Sequence, residues 1–158
     1  MKLVVQRVSR AKLTVGKELI SEIGPGYFVL LGITNGDTEK EADFLAEKLS
    51  KLRVMSDNEA RSSSLRSGVS GRGKMNKSVT DVGGEMLVVS QFTLYADTTG
   101  GNRPSFLAAA RPEVAEPLYD YFVKKLESLG IRVKTGEFGA DMKIDTSLDG
   151  PVTIVVEY

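Results

Sequence analysis

The stretch LVVSQFTLYAD, residues 87–97, sets two hydrogen-bonding side chains, Ser90 and Gln91, within what otherwise reads as an apolar strand. A serine attacks as a nucleophile only when a base takes its proton, and histidine is the usual base. The chain contains no histidine, and no cysteine that might replace the serine. The base would then have to be a lysine or carboxylate of shifted pKa, and no neighbour of Ser90 is an evident candidate. The pair is therefore read as hydrogen-bonding equipment, and a covalent serine mechanism is disfavoured.

Other residue types invite weaker readings. Asp141 with Asp145, or Asp81 with Glu85, have the carboxylates for acid–base work or a hard cation, although surface charge is the commoner reason for such pairs. GEFGADM, 136–142, lacks the glycine spacing of a phosphate loop that opens a helix. TGGNRPSF, 99–106, sets one arginine and one phenylalanine in a turn, types that suit an RNA contact without forming a signature.

Composition narrows the field further. A chain of 158 residues suffices for one domain, 1–158, with a complete core. Lys+Arg and Asp+Glu both number 21, so no bulk positive field announces a nucleic-acid partner. Without histidine or cysteine the common metal ligands are missing, and no metal or cofactor is expected. MKLVVQRVSRAK turns charged too soon for a secretory core, and YFVLLGI is too short to span a bilayer, so a cytoplasmic protein is expected.

The elements that must position these groups are legible in outline. LVVQRV (3–8), KLTV (12–15), ELISEI (18–23) and YFVLLGI (27–33) read as four strands separated by turn residues. YFVLLGI is apolar throughout, which predicts a central strand buried on both faces. Thr38 followed by Glu41 predicts a capping box opening a helix, with Ala42, Leu45, Ala46, Leu49 and Leu52 on one face. A second helix is predicted from about Glu116 to Leu129, with Pro117 in its first turn and Gly130 closing it. IRVKT, MKIDT and PVTIVVEY are read as three closing strands. The order is about ββββ-α-β-α-βββ: a mixed α/β fold with a largely antiparallel or mixed barrel-like sheet and two main helices. Residues 56–74, rich in Ser, Gly and Arg, are expected to form a flexible insertion, with an arginine arm touching phosphate as the sharper alternative.

QRVSRA (6–11), GKMNKSVTDVGGEMLVVSQFTLYAD (73–97), NRPSF (102–106), FGADM (138–142) and GPVT (150–153) together resemble the D-aminoacyl-tRNA deacylase family nearly end to end. Ser-Gln-Phe-Thr and Gly-Pro-Val-Thr match its two signature motifs, in order. The resemblance implies a homodimeric enzyme that hydrolyses the ester joining a D-amino acid, or glycine, to the terminal adenosine of tRNA. It implies a pocket combining Ser90, Gln91, Phe92 and Thr93 of one subunit with a cis Gly150–Pro151 of the other, shaped by Arg7 and Met142. It also implies chemistry assisted by the ribose 2′-OH, with backbone N–H groups around Phe92 and Thr93 facing the oxyanion. Leu148 replaces a common asparagine of the family, and Thr99-Gly100 stands where basic residues are usual.

Overall fold

The computed structural model describes residues 1–57 and 74–158. Its eight strands are β1 (Lys2–Val15), β2 (Glu18–Ile23), β3 (Gly26–Gly32), β4 (Met55–Ser56), β5 (Met75–Lys77), β6 (Glu85–Ser90), β7 (Arg132–Thr135) and β8 (Met142–Glu157). Two helices, α1 (Glu39–Ser50) and α2 (Pro112–Ser128), accompany them. The main sheet runs β2-β1-β3-β6-β7, with β8 on β1, and β4 pairs with β5 separately. Pairing around β1 is antiparallel, whereas β3–β6 and β6–β7 are parallel. Ser21 Oγ of β2 donates to the Thr135 carbonyl of β7 at 2.5 Å, bringing the ends of the sheet together into the expected mixed, nearly closed barrel.

Alternation along the strands divides the core. Val8, Ala11, Leu13, Ile23, Phe28, Leu87 and Val89 form one apolar cluster. Tyr27, Val29, Leu31, Met86 and Val88 point the other way, toward Leu45, Leu49, Leu118, Phe122 and Leu126 of the helices. Strand β3 thus sits between two cores, as its unbroken apolar sequence requires. The capping box is present: Thr38 N–H donates to Glu41 Oε2 at 2.7 Å, and Lys40 N–H donates to Thr38 Oγ1 at 3.3 Å.

Several boundaries differ from expectation. LVVQRV and KLTV are one strand, because exposed Ser9 and Arg10 ride over an irregularity in the pairing without ending it. MKIDT and PVTIVVEY are likewise one strand, β8. The second helix starts at Pro112, which takes the first-turn position, and Pro117 lies inside the helix on its exposed side. Leu52 lies beyond the end of α1. Strand β6 stops at Ser90, and Phe92–Tyr95 winds into a 3-10 turn, so Gln91 and Phe92 are not strand residues. Of the expected insertion, residues 58–73 lie outside the described residues; Ser56 belongs to β4 and Lys74 precedes β5. No helix among the described residues is long and apolar enough to cross a membrane.

Candidate active site

A cavity of about 560 Å³ opens beyond the end of β6. Ser90, Gln91 and Phe92 form one wall, Phe106, Ala109, Ala110, Pro112 and Ala115 another, and Phe138 to Met142 with Ile144 a third. The chain turns at Ser90 because Gln91 N–H still donates to the Leu31 carbonyl at 2.8 Å, extending the ladder one residue past β6, before the 3-10 turn takes over. Gln91 Nε2 donates to Thr93 Oγ1 at 2.6 Å across that turn. Lys2 fastens its far end, with Nζ 3.5 Å from the Leu94 carbonyl and 5.3 Å from the centre of the Tyr95 ring. The first N–H groups of such a turn, here those of Phe92 and Thr93, have no partner within it.

Behind this wall, Tyr119 of α2 donates its hydroxyl to the Val88 carbonyl at 2.9 Å, and burial raises that hydroxyl well above the usual phenol range. The bond ties the helix that carries Pro112 and Ala115 to the strand that carries Ser90. On the opposite wall, a Cβ on Gly136 would collide with Met142 Sδ, so glycine there lets Met142 take its place.

Ser90 Oγ has no hydrogen-bond partner among the described residues, and Asp141 is the sole ionisable side chain of the lining. Asp81 is occupied elsewhere: Ser78 N–H donates to its Oδ2 at 2.8 Å, which lowers its pKa below the usual carboxylate value. Glu85 Oε2 accepts Gly24 N–H at 3.1 Å, and Glu85 Oε1 lies 3.6 Å from Arg132. These two carboxylates act as backbone and ion-pair partners. Among the described residues no group of three His, Cys, Asp or Glu side chains converges as a metal site would require.

The remaining expected site residues gather at a second place. Gln6 pairs with Thr153 and Val8 with Leu148, so residues 149–152 of β8 bulge opposite Arg7 alone. Arg7 is 4% exposed. Its Nε donates to the Asp149 carbonyl at 3.0 Å and lies 3.3 Å from Asp149 Oδ2, while Nη1 donates to the Val54 carbonyl at 2.7 Å and to Ser56 Oγ at 3.0 Å. Tyr27, whose hydroxyl burial pushes up to about 12, donates to the neighbouring Leu52 carbonyl at 2.9 Å. The Gly150–Pro151 peptide bond is cis, and Gly150 has φ +135°, a conformation that side-chain-bearing residues rarely adopt. A Cβ at Gly150 would stand 2.8 Å from Val152 N and 3.4 Å from Arg7 Nη2.

The structure thus brings Ser90, Gln91, Phe92 and Met142 together on one cavity, with Thr93 bonded to Gln91 beside it. Arg7, Gly150 and Pro151 form a separate group that does not line that cavity. Sequence reasoning pointed to Phe106, as an aromatic suited to an RNA contact, but to none of Ala109, Ala110, Ala115 or Phe138 as site residues. They are ordinary apolar residues made relevant by the path of the loops, and only the aromatic in NRPSF gave a signal.

A family model described as D-Tyr-tRNA(Tyr) deacylase matches residues 4–157. A D-aminoacyl-tRNA deacylase of Symbiobacterium thermophilum is 51% identical over 157 residues, covering 99% of this chain and 95% of the relative. The protein of the same name from Thermus aquaticus is 48% identical with the same coverage. Among solved structures, one titled c-Myc DNA Unwinding Element Binding Protein superposes with TM-score 0.86 at 43% identity, covering 100% of this chain and 99% of that one. A probable eukaryotic D-amino acid tRNA deacylase shares the fold, with TM-score 0.79 at 14% identity, covering 99% and 98%.

Proposed function

Since the chain belongs to the D-Tyr-tRNA(Tyr) deacylase family, whose members are hydrolases acting on an ester bond, we propose that it is a chiral proofreader. It removes D-amino acids, and glycine mischarged on alanine tRNA, from the terminal adenosine of tRNA in the cytoplasm. The whole chain acts as one domain, and two copies pair so that each cavity is completed by its partner.

The observation that carries this reading is the cavity built on Ser90, Gln91 and Phe92, which offers hydrogen-bonding groups and apolar walls but no nucleophile with its base. Such a site suits a substrate that brings its own reactive hydroxyl. The 2′-OH of the terminal ribose lies next to the ester and orients the attacking water, while the N–H groups of Phe92 and Thr93 face the developing oxyanion. Gln91 and Ser90 hold the adenosine. The second half of the site is the bend at Gly150 and Pro151, delivered across a two-fold interface with Arg7 bracing it from behind. A proofreader must accept many D side chains and refuse all L ones, so it must read the ammonium and Cα common to every substrate. Main-chain carbonyls of a glycine-proline bend can do so, leaving no room on the side where an L side chain projects.

Hydrolysis assays decide the matter. D-aminoacyl-tRNA should be hydrolysed with the L form strongly spared, and a 2′-deoxy terminal adenosine should slow the reaction by ~10² or more. Equal rates on the two enantiomers would sink the reading, and an unaffected 2′-deoxy substrate would remove the RNA-assisted step. One alternative has an observation behind it: the solved relative at 43% identity is named for binding a DNA element. A catalytically silent nucleic-acid-binding protein would bind tRNA without turning over either enantiomer.

A further inference from the structure

The segment between the 3-10 turn and α2 forms a lobe at the mouth of the cavity. Asp97 and Ser105 close its base with two backbone hydrogen bonds of 2.8 Å, one in each direction. Asp97 Oδ1 further accepts the Thr99 N–H at 2.9 Å and the Thr99 hydroxyl at 2.7 Å. On the other side, Asn35 Nδ2 donates to the Leu107 carbonyl at 3.2 Å, and Ala110 N–H donates to the Ile33 carbonyl at 3.0 Å.

The backbone from 105 to 110 is therefore held at both ends, with Ala109 and Ala110 turned to the cavity and Leu107 turned to solvent. Leu107 is 88% exposed. Phe106 keeps 37% of its surface open even though it meets Phe92 edge to face, with ring centres 5.1 Å apart and planes at 75°. Exposure on this scale does nothing for the core, and clustered exposed apolar groups mark a place where something docks. Arg103 and Arg111, on either side of them in sequence, are exposed and make no ion pair among the described residues.

We propose that this lobe is a stacking platform for the nucleotide that precedes the terminal adenosine, with Phe106 and Leu107 under its base and Arg103 beside its phosphate. The inference rests on the proposed function, which puts the terminal adenosine in the adjoining cavity. Single-stranded nucleic acid is held by aromatic faces for the bases and cations for the backbone, a combination that tolerates any base because every base has a π-face. A second copy of this chain is the competing occupant of an exposed apolar patch. Self-packing would bring uncompensated arginines of both copies together, a like-charge arrangement that opposes it. A phosphodiester backbone supplies the missing negative charge.

The test compares kcat/KM on D-aminoacyl-tRNA with kcat/KM on the D-aminoacyl ester of adenosine alone, for wild type, Phe106→Leu, Leu107→Ser and Arg103→Gln. Phe106→Leu keeps an apolar group against Phe92 but removes the aromatic face. The ratio of the two values should fall about tenfold for Phe106→Leu, through KM for tRNA. Leu107→Ser should move it in the same direction, and Arg103→Gln should reduce the salt slope of tRNA binding by about one. An unchanged ratio in active enzyme would overturn the platform. So would variants that lower the sedimentation mass, because the lobe would then belong to a contact between copies. Wild-type protein inactive on both esters would instead remove the deacylase reading itself, and the platform with it.

Discussion

The end of β6 and the bulge of β8 are built by opposite means. At the first, polar groups stay half open to solvent around an apolar cavity: among the described residues Ser90 Oγ has no partner, and the Gln91 side chain is tied only to Thr93 within its own turn. At the second, a nearly buried arginine sets Nε against the carbonyl and carboxylate of Asp149, where the bulge begins, and Nη1 against the Val54 carbonyl and the Ser56 hydroxyl. One region is a socket whose groups await a partner. The other is a bend whose course is held from within by Arg7. A socket works by leaving capacity unused, whereas a bend works by having its backbone fixed beforehand, since a displacement of about 1 Å can cost a hundredfold in rate.

That contrast yields graded expectations. Gly150→Ala should do the most damage, because the added Cβ meets Val152 N at 2.8 Å on a backbone with φ +135°; a loss of about a hundredfold in kcat/KM is expected. An alanine variant of near-normal activity would show that the bend tolerates displacement and would break the contrast. Arg7→Met keeps an apolar stem but strands the carbonyls of Val54 and Asp149. It should destabilise the fold by about 3 kcal/mol, read from denaturant midpoints, and lower activity as well. Unaltered stability would mean that the arginine does not brace the bulge.

Tyr119→Phe sharpens the comparison from the socket side. Removing the hydroxyl that donates to Val88 costs about 1 kcal/mol, with a smaller effect on rate than Gly150→Ala. Ser90→Ala should change kcat by no more than about threefold, since an unactivated serine contributes no nucleophile. A loss of ~10³ would restore a serine mechanism. Thorough chelation should leave the rate where it was, given a chain without histidine or cysteine. Activity that disappears and returns only with added metal would contradict this.

The two regions were unequally legible in the sequence. Thr38 and Glu41 announce α1 because a capping box is a local device, complete within four residues. The apolar run of β3 announces its burial for the same local reason. Ser9 and Arg10 read as a break between strands, yet long-range pairing with β8 carries β1 through them, and no local signal reports such pairing. Pro117 reads as a helix start because proline favours first turns, but Pro112 takes that position and Pro117 is accommodated on the exposed side. At the site, Ser90 and Gln91 stand out as polar residues in an apolar run. Ala109, Ala110 and Ala115 carry no such mark, since an alanine that makes room for a ligand looks like any other. Arg7 and Asp149 lie 142 positions apart in the chain, and their meeting is visible only in the fold.

The measurement that bears most directly on the split between socket and bend is complementation in mixed dimers. Gly150→Ala damages the bend and leaves the cavity intact; Ala109→Phe fills the cavity and leaves the bend intact. Each variant alone should be inactive on D-aminoacyl-tRNA. With two copies paired as proposed, unfolding and refolding the variants together should make about half of the dimers mixed, each with one undamaged site of two, so about a quarter of wild-type activity should return. A mixture as inactive as its components, with mixed dimers verified by mass, would show that each subunit completes its own site and would contradict the account.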